Sequence, residues 1–172
     1  NQNEIVSASY TQEDRILEIL YLLAMDSNPV KITTLSEHFS VSKSTIVKDI
    51  DVLRANIECD KVKISGSSDG LQLMGSEAKI RELLVNSYAE SMDNRSKIDI
   101  ARLMLHENAR IIYRVQWRLF ENVDIKFVER MINVVNDRLS MSLDDEQYMR
   151  LAGSICIAIK RISLGKKYDI GY

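Results

Sequence analysis

Residues 41–53 read VSKSTIVKDIDVL, and Lys43, Ser44, Thr45 and Lys48 set two ammonium groups and two hydroxyls side by side within them. A hydroxyl without an adjacent base is a poor nucleophile, so this set is not built for covalent chemistry. It suits hydrogen bonds to base edges and ion pairs with phosphates. Arg54, Lys61 and Lys63 extend the cationic group along the chain. Residues suited to other chemistry are dispersed. His38 and His106 lie far apart, and neither has Cys, Asp or Glu neighbours at metal-ligand spacing. His38 is expected at a surface or boundary position. Cys59 and Cys156 form no CxxC pair and read as free thiols in a reducing compartment, a disulfide between them being the alternative. The acidic run at 144–146 suits the positive end of a helix dipole rather than a catalytic carboxylate pair. The six glycines match no phosphate-binding loop. No metal, cofactor or enzymatic activity is expected.

The elements that must hold these residues follow from periodicity. One proline and six glycines in 172 residues, with 45% hydrophobic and 28% charged residues, predict a globular and mainly α chain. Thr11 and Asp14 form the capping-box pattern ahead of an apolar stripe through Ile16, Leu17, Ile19, Leu20, Leu23 and Ala24. A short helix in TTLSEHF is expected next, capped by Thr33 or Thr34, with Leu35 and Phe39 inward. Ser40 and Val41 make a turn, and Ser42 caps a third helix running to about Asn56. Alternating Val62, Ile64, Leu71 and Leu73 around GSSDG predict a two-stranded hairpin. Ser76 then caps a helical remainder, with helices expected at 77–90, 96–105, 107–121, 125–139 and 144–164 and a loop at SMDNRSK. Tyr113, Trp117 and Phe120 recur at helical spacing and read as core or as an interface.

On the third helix Ile46, Ile50 and Leu53 form an inward seam, leaving Ser44, Val47, Lys48 and Asp51 outward and Lys43 and Thr45 at the exposed N-terminal end. A short helix, a tight turn and a second amphipathic helix that opens with small polar and cationic residues make a helix-turn-helix. The following hairpin makes it winged, with Lys61 and Lys63 able to reach phosphates. The alternative is an ordinary bundle in which Lys43 and Lys48 are simply solvated; the ordered succession of all the parts favours the motif. Residues 1–75 nevertheless carry seven Lys and Arg against eleven Asp and Glu. Phosphate neutralisation drives nonspecific affinity, so one such domain should bind weakly, and dimerisation would supply what is missing.

ITTLSEHFSVSKSTIVKDIDVLR resembles the winged helix-turn-helix of bacterial regulators of the BglG-type antiterminator and activator family. GLQLMGSEAKIRELL is similar to that family's Gly-x-x-Leu-x-Gly-x-Glu-x-x-Ile-Arg pattern through Gly70, Leu73, Gly75, Glu77, Ile80 and Arg81. LAGSICIAIKRISLGKKYDI resembles the signature helix of the phosphotransferase-system regulation domain. Leu151, Ile155, Ile157, Ala158, Arg161 and Gly165 fit it, and Ser154 stands where that domain has histidine. Whatever the family, Ile155, Ala158, Ile159 and Ile162 are expected to form a core stripe. The resemblance implies a DNA-binding domain at 1–75, linking helices at 76–122 and the first part of a regulation-like helical domain at 123–172. It implies a cytoplasmic regulator of carbohydrate uptake or utilisation genes that binds double-stranded DNA as a homodimer. Phosphotransferase-system carrier proteins would act through regions beyond residue 172. Ser44, Thr45 and Lys48 are expected on bases, with Lys43, Arg54, Lys61 and Lys63 on phosphates.

Two alternatives remain. The family name is shared with RNA-binding antiterminators, although nothing ahead of residue 76 resembles their small β-rich RNA-binding domain. The same N-terminal module opens bifunctional biotin-protein ligases, whose glycine- and arginine-rich adenylate loop is missing here. The absent initiator Met and the abrupt KKYDIGY end predict a fragment of a longer protein. No apolar run approaches the ~20 residues that span a bilayer.

Ser154 lacks the imidazole that is nucleophilic near neutral pH. It is expected to take no phosphate from a phosphohistidine carrier. Intact-mass measurement after incubation with the phosphorylated carrier checks this; a phosphate anywhere in 144–164 contradicts it.

Overall fold

The computed structural model describes residues 10–57, 61–93, 119–140 and 142–168. Three helices open it: α1 (Gln12–Met25), α2 (Ile32–Phe39) and α3 (Lys43–Ile57). An antiparallel hairpin of β1 (Lys63–Ser67) and β2 (Gly70–Met74) follows, then α4 (Glu77–Asp93), α5 (Ile125–Leu139) and α6 (Asp145–Ser163). The architecture is a helix-turn-helix region with its hairpin, continued by helices, as the periodicity predicts.

The start of α1 is the expected capping box. Thr11 Oγ1 accepts from Asp14 N at 3.1 Å and Asp14 Oδ2 accepts from Thr11 N at 3.4 Å, satisfying donors that a helix N-terminus otherwise leaves open. The first turn of α2 differs from expectation. The helix begins at Ile32 with Lys31 as cap and no side-chain cap bond, so Thr33 and Thr34 lie inside it, exposed. The cause is the segment before it: Val30 pairs with Leu71 through two 2.8 Å backbone bonds, fixing the chain in extended form up to the helix start. Gly70 permits that pairing. It adopts φ 137°, and a Cβ there would lie 2.8 Å from the Val30 carbonyl.

In the hairpin, Lys63 pairs with Met74 and Ser67 with Gly70, so the strands reach further into GSSDG than alternation alone suggests and only Ser68 and Asp69 turn. Val62, Ile64 and Leu71 are buried beneath it. α4 runs through Asp93, so the first three residues of the expected SMDNRSK loop are helical. The helices expected at 96–105 and 107–121 fall outside the described residues but for the end of the second, where Leu119 and Phe120 are buried in the core. Phe120 meets the Tyr88 ring edge-on at 5.4 Å, which removes it from any free interface; Tyr113 and Trp117 are outside the described residues.

α5 matches its expected span, and α6 is capped at Asp144, with Gln147 completing a capping box. α4 and α6 approach closely at Gly153, where an added Cβ would sit 2.5 Å from the Tyr88 ring. The small residue beside Ser154 therefore serves packing. Ser154 Oγ itself donates to the Arg150 carbonyl at 2.7 Å. The α6 stripe departs from expectation. Ala152, Cys156 and Ile157 are buried, Ile155 and Ile159 only partly so, Ala158 is half-buried and Ile162 is 53% exposed. The buried face runs instead through Ala152, Gly153, Cys156, Ile157 and Arg161 at regular helical spacing, which leaves Ile162 on the other side of the helix. Burial pushes the Cys156 thiol up to about 12, leaving it protonated and inert; Cys59 is outside the described residues.

Arg161 is 3% exposed and joins α6 to the start of α4 and the end of α1. Its Nε donates to Glu77 Oε1 at 2.9 Å, its Nη2 to Glu77 Oε2 at 2.5 Å, and its Nη1 to the Ala24 carbonyl at the end of α1. Arg81 Nε donates to the same Glu77 Oε1 at 2.7 Å, its Nη2 to the Lys166 carbonyl at 2.9 Å, and its guanidinium stacks 4.2 Å over the Tyr168 ring. Beside this cluster opens a polar cleft of about 360 Å³. Burial by itself would raise the Glu77 carboxyl, but the hydrogen bonds and charges of Arg161 and Arg81 outweigh it and hold the group below its ordinary 4.5. A depressed folded-state pKa stabilises the fold above the unfolded-state value, and the gain is lost as pH falls through the folded one. Glu77→Gln is therefore expected to lower stability at neutral pH and to lose less of what remains on acidification below pH 4.5 than the wild type does, read from urea midpoints across pH.

Candidate nucleic-acid interface

The turn between α2 and α3 is closed locally. Ser40 adopts a left-handed conformation (φ 53°, ψ 41°), and Ser36 Oγ donates to the Val41 carbonyl at 2.6 Å while Val41 N returns a bond to Ser36 O. Val41 is half-buried in the turn. Ser42 caps α3 as expected, its hydroxyl accepting from Thr45 N at 3.1 Å.

Ile46, Ile50, Leu53 and Ile57 are buried on α3, and Lys43, Ser44, Val47, Lys48 and Asp51 are exposed on its other side. The outward face thus holds the groups assigned to it from periodicity, with Thr45 only half-buried at its edge. Their local chemistry is more constrained than the sequence suggests. Ser42 Oγ lies 2.7 Å from Ser44 Oγ and 2.9 Å from Thr45 Oγ1, so the three hydroxyls form one small network at the helix start. A hydroxyl offers one donor and two acceptor sites, which leaves capacity for a further partner. Val47, 41% exposed, adds an apolar group of the kind that contacts a thymine methyl.

The remaining cations are dispersed. Arg54 pairs with Asp51 at 3.1 Å on the surface, so a phosphate would compete with that carboxylate. Lys61 takes a left-handed backbone (φ 59°), and both Lys61 and Lys63 are exposed at the base of the hairpin. The tip carries Ser67, Ser68 and Asp69 and no cation. His38 is a boundary residue as expected, its Nε2 lying 2.8 Å from Oε1 of the buried Glu18.

Sequence reasoning missed what aims the helix. Asp49, 0% exposed, lies on the inward side of α3. Arg15 of α1 grips it with Nε to Oδ2 at 2.8 Å and Nη2 to Oδ1 at 3.3 Å, and Gln12 Nε2 adds a bond to Oδ1 at 3.0 Å. Arg15 Nη1 also donates to the Tyr10 carbonyl at 3.2 Å. The available signal was a carboxylate three residues after Ile46 and one before Ile50, inside the apolar seam, with Arg15 on the preceding helix to answer it.

Residues 15–70 match a protein-family model described as an HTH domain. This is a helix-turn-helix DNA-binding domain, and it indicates a DNA-binding regulator. The match ends at Gly70, at the start of β2, and so takes in all of α2 and α3. No curated protein matches the chain. Among the described residues no helix is long and apolar enough to cross a membrane.

A bidentate pair fixes direction as well as distance, so the clamp sets how α3 lies across α1. Arg15→Ala leaves the Asp49 carboxylate buried without its cation and is expected to destabilise the fold by about 3–5 kcal/mol. Arg15→Lys, a point charge without the fork, should cost less stability yet still weaken duplex binding. Thermal melts and fluorescence anisotropy on one duplex check the two effects separately.

Proposed function

We propose that the chain is the DNA-binding end of a cytoplasmic bacterial transcription regulator of the BglG type, controlling carbohydrate uptake or utilisation genes in response to the phosphotransferase system. Residues 1–75 bind DNA, 76–122 link, and 123–172 begin a regulation-like helical domain. Carrier proteins act on regions beyond residue 172, because Ser154 replaces the phosphorylatable histidine. Ser44, Thr45 and Lys48 read bases; Lys43, Arg54, Lys61 and Lys63 hold phosphates. The regulator binds as a homodimer on paired half-sites, which multiplies contacts that one acidic domain lacks.

The observation that carries this reading is a meeting of the two resembling stretches. Glu77 and Arg81 come from the pattern that follows the hairpin, and Arg161 from the helical signature; in the fold they share one buried ion cluster. Residues far apart in sequence and matched separately to one family's patterns are here used together. Their role is to join a DNA-binding domain to the helices that would regulate it.

Lys48→Ala is expected to weaken a duplex selected for tight binding by about 1–3 kcal/mol while changing random duplex little. Lys43→Ala should weaken both alike and lower the slope of log affinity against log salt by about one. Equal losses on both duplexes make Lys48 a phosphate contact. If neither variant alters binding, the DNA-binding reading fails.

A further inference from the structure

α5 has a face that nothing among the described residues covers. Its buried positions, Val128 and Ile132, belong to the core it shares with α6. Phe127, Met131, Val134, Val135 and Leu139 recur beside them at helical spacing and remain 38% to 62% exposed. Large apolar side chains carry on the order of 150–200 Å² each, so these five leave roughly 400 Å² of apolar surface in one stripe, a patch of the size that marks interaction sites.

We propose that this face is closed by α5 of a second copy of the chain, packed antiparallel about a twofold axis near Asn133. That axis sets Phe127 of one copy level with Leu139 of the other and Met131 level with Val135, and it runs the two helix dipoles antiparallel, side by side. Charge complementarity selects this arrangement. Arg130 and Asp137 border the stripe on the same flank, and in an antiparallel pair like flanks face each other. The axis therefore brings Arg130 of each copy beside Asp137 of the other, giving two symmetric ion pairs. Among the described residues Arg130 reaches Asp124 at 4.0 Å, with both side chains 67% exposed, a loose contact that a closer one can replace. The stripe by itself supplies about half of the ~800 Å² per partner typical of specific interfaces. The proposal deepens the preceding reading, on which it rests for the use of paired half-sites, and it places the pairing on a helix other than α3.

Sedimentation equilibrium at micromolar concentration, without DNA, tests the surface. The chain is expected to be a dimer. Val134→Asp should make it a monomer with an unchanged far-ultraviolet spectrum. Arg130→Asp should weaken the dimer at least tenfold, and Arg130→Asp combined with Asp137→Arg should restore it. A monomeric wild type overturns the proposal, as does a dimer left intact by both single substitutions or a double swap that fails to restore pairing. Anisotropy then separates the two readings. Val134→Asp should retain single half-site affinity and lose the advantage of two, whereas a wild-type dimer that binds no duplex refutes the DNA-binding reading and leaves the surface standing.

Discussion

A single carboxylate ties α4 to α6. Glu77 receives three hydrogen bonds from two buried arginines, Arg81 four residues further along its own helix and Arg161 from α6, 84 residues later. Two cations on one anion would be a poor arrangement in a low-dielectric interior. The excess positive charge is met by main-chain oxygens, Ala24 O for Arg161 and Lys166 O for Arg81. Ala24 O lies in the last turn of α1, where carbonyls lack intrahelical partners and carry the negative end of the macrodipole, and Lys166 O lies three residues beyond the end of α6. The cluster thus closes the C-terminus of α1, ties the turn after α6 and locks α4 between them. A buried charge with its partner removed is far costlier than the net worth of the pair, so these contacts are kept or lost as a set.

A second clamp of the same kind, Arg15 on Asp49, acts within the helix-turn-helix. The two divide the labour. The seam of Ile46, Ile50 and Leu53 supplies non-directional burial, which permits a helix to slide or roll; the fork of Arg15 permits neither. With α3 anchored on its inner side, its outer side carries no duty to stability, and small hydroxyls and lysines can stand there. The Glu77 cluster extends the constraint: α1 bears Arg15 in its first turn and ends at the carbonyl that Arg161 holds. A path of hydrogen bonds therefore links α6 to α1 through the Ala24 carbonyl, and α1 to α3 through Asp49.

What was legible in the sequence is what short-range physics decides. The caps at Thr11, Ser42 and Asp144 and the inward seam of α3 each depend on residues within a turn or two, and the structure reproduces them. The failures are tertiary. Thr33 and Thr34 are good caps by type, but the Val30 pairing with Leu71 starts α2 earlier. Ile162 is apolar and periodic, yet it faces out because the buried face of α6 runs through Ala152, Gly153, Cys156, Ile157 and Arg161; that a guanidinium lies on that face is explained by Glu77, more than eighty residues away. At the candidate site the outward face of α3 was legible, whereas the hydroxyl network of Ser42, Ser44 and Thr45 and the buried Asp49 were not. Each requires distances that a periodic pattern does not contain.

The hairpin constrains how DNA can be engaged. Its tip bears Asp69 and serines, and its lysines sit at the opposite end beside Met74. A wing tip lowered onto the backbone would bring a carboxylate toward phosphate, so the cationic contacts must come from the hairpin base and the start of α3. Lys43 and Lys48 offer two charges on α3, while Arg54 is shared with Asp51. So narrow a cationic footprint gives one domain little sequence-independent affinity, since that term grows with the number of phosphates neutralised. It also reduces retention on random duplex, where such contacts supply nearly all the binding. A weak domain is then an asset provided its reading face is held rigid and doubled; the Arg15 clamp meets the first condition, and the exposed stripe of α5, paired as proposed, would meet the second.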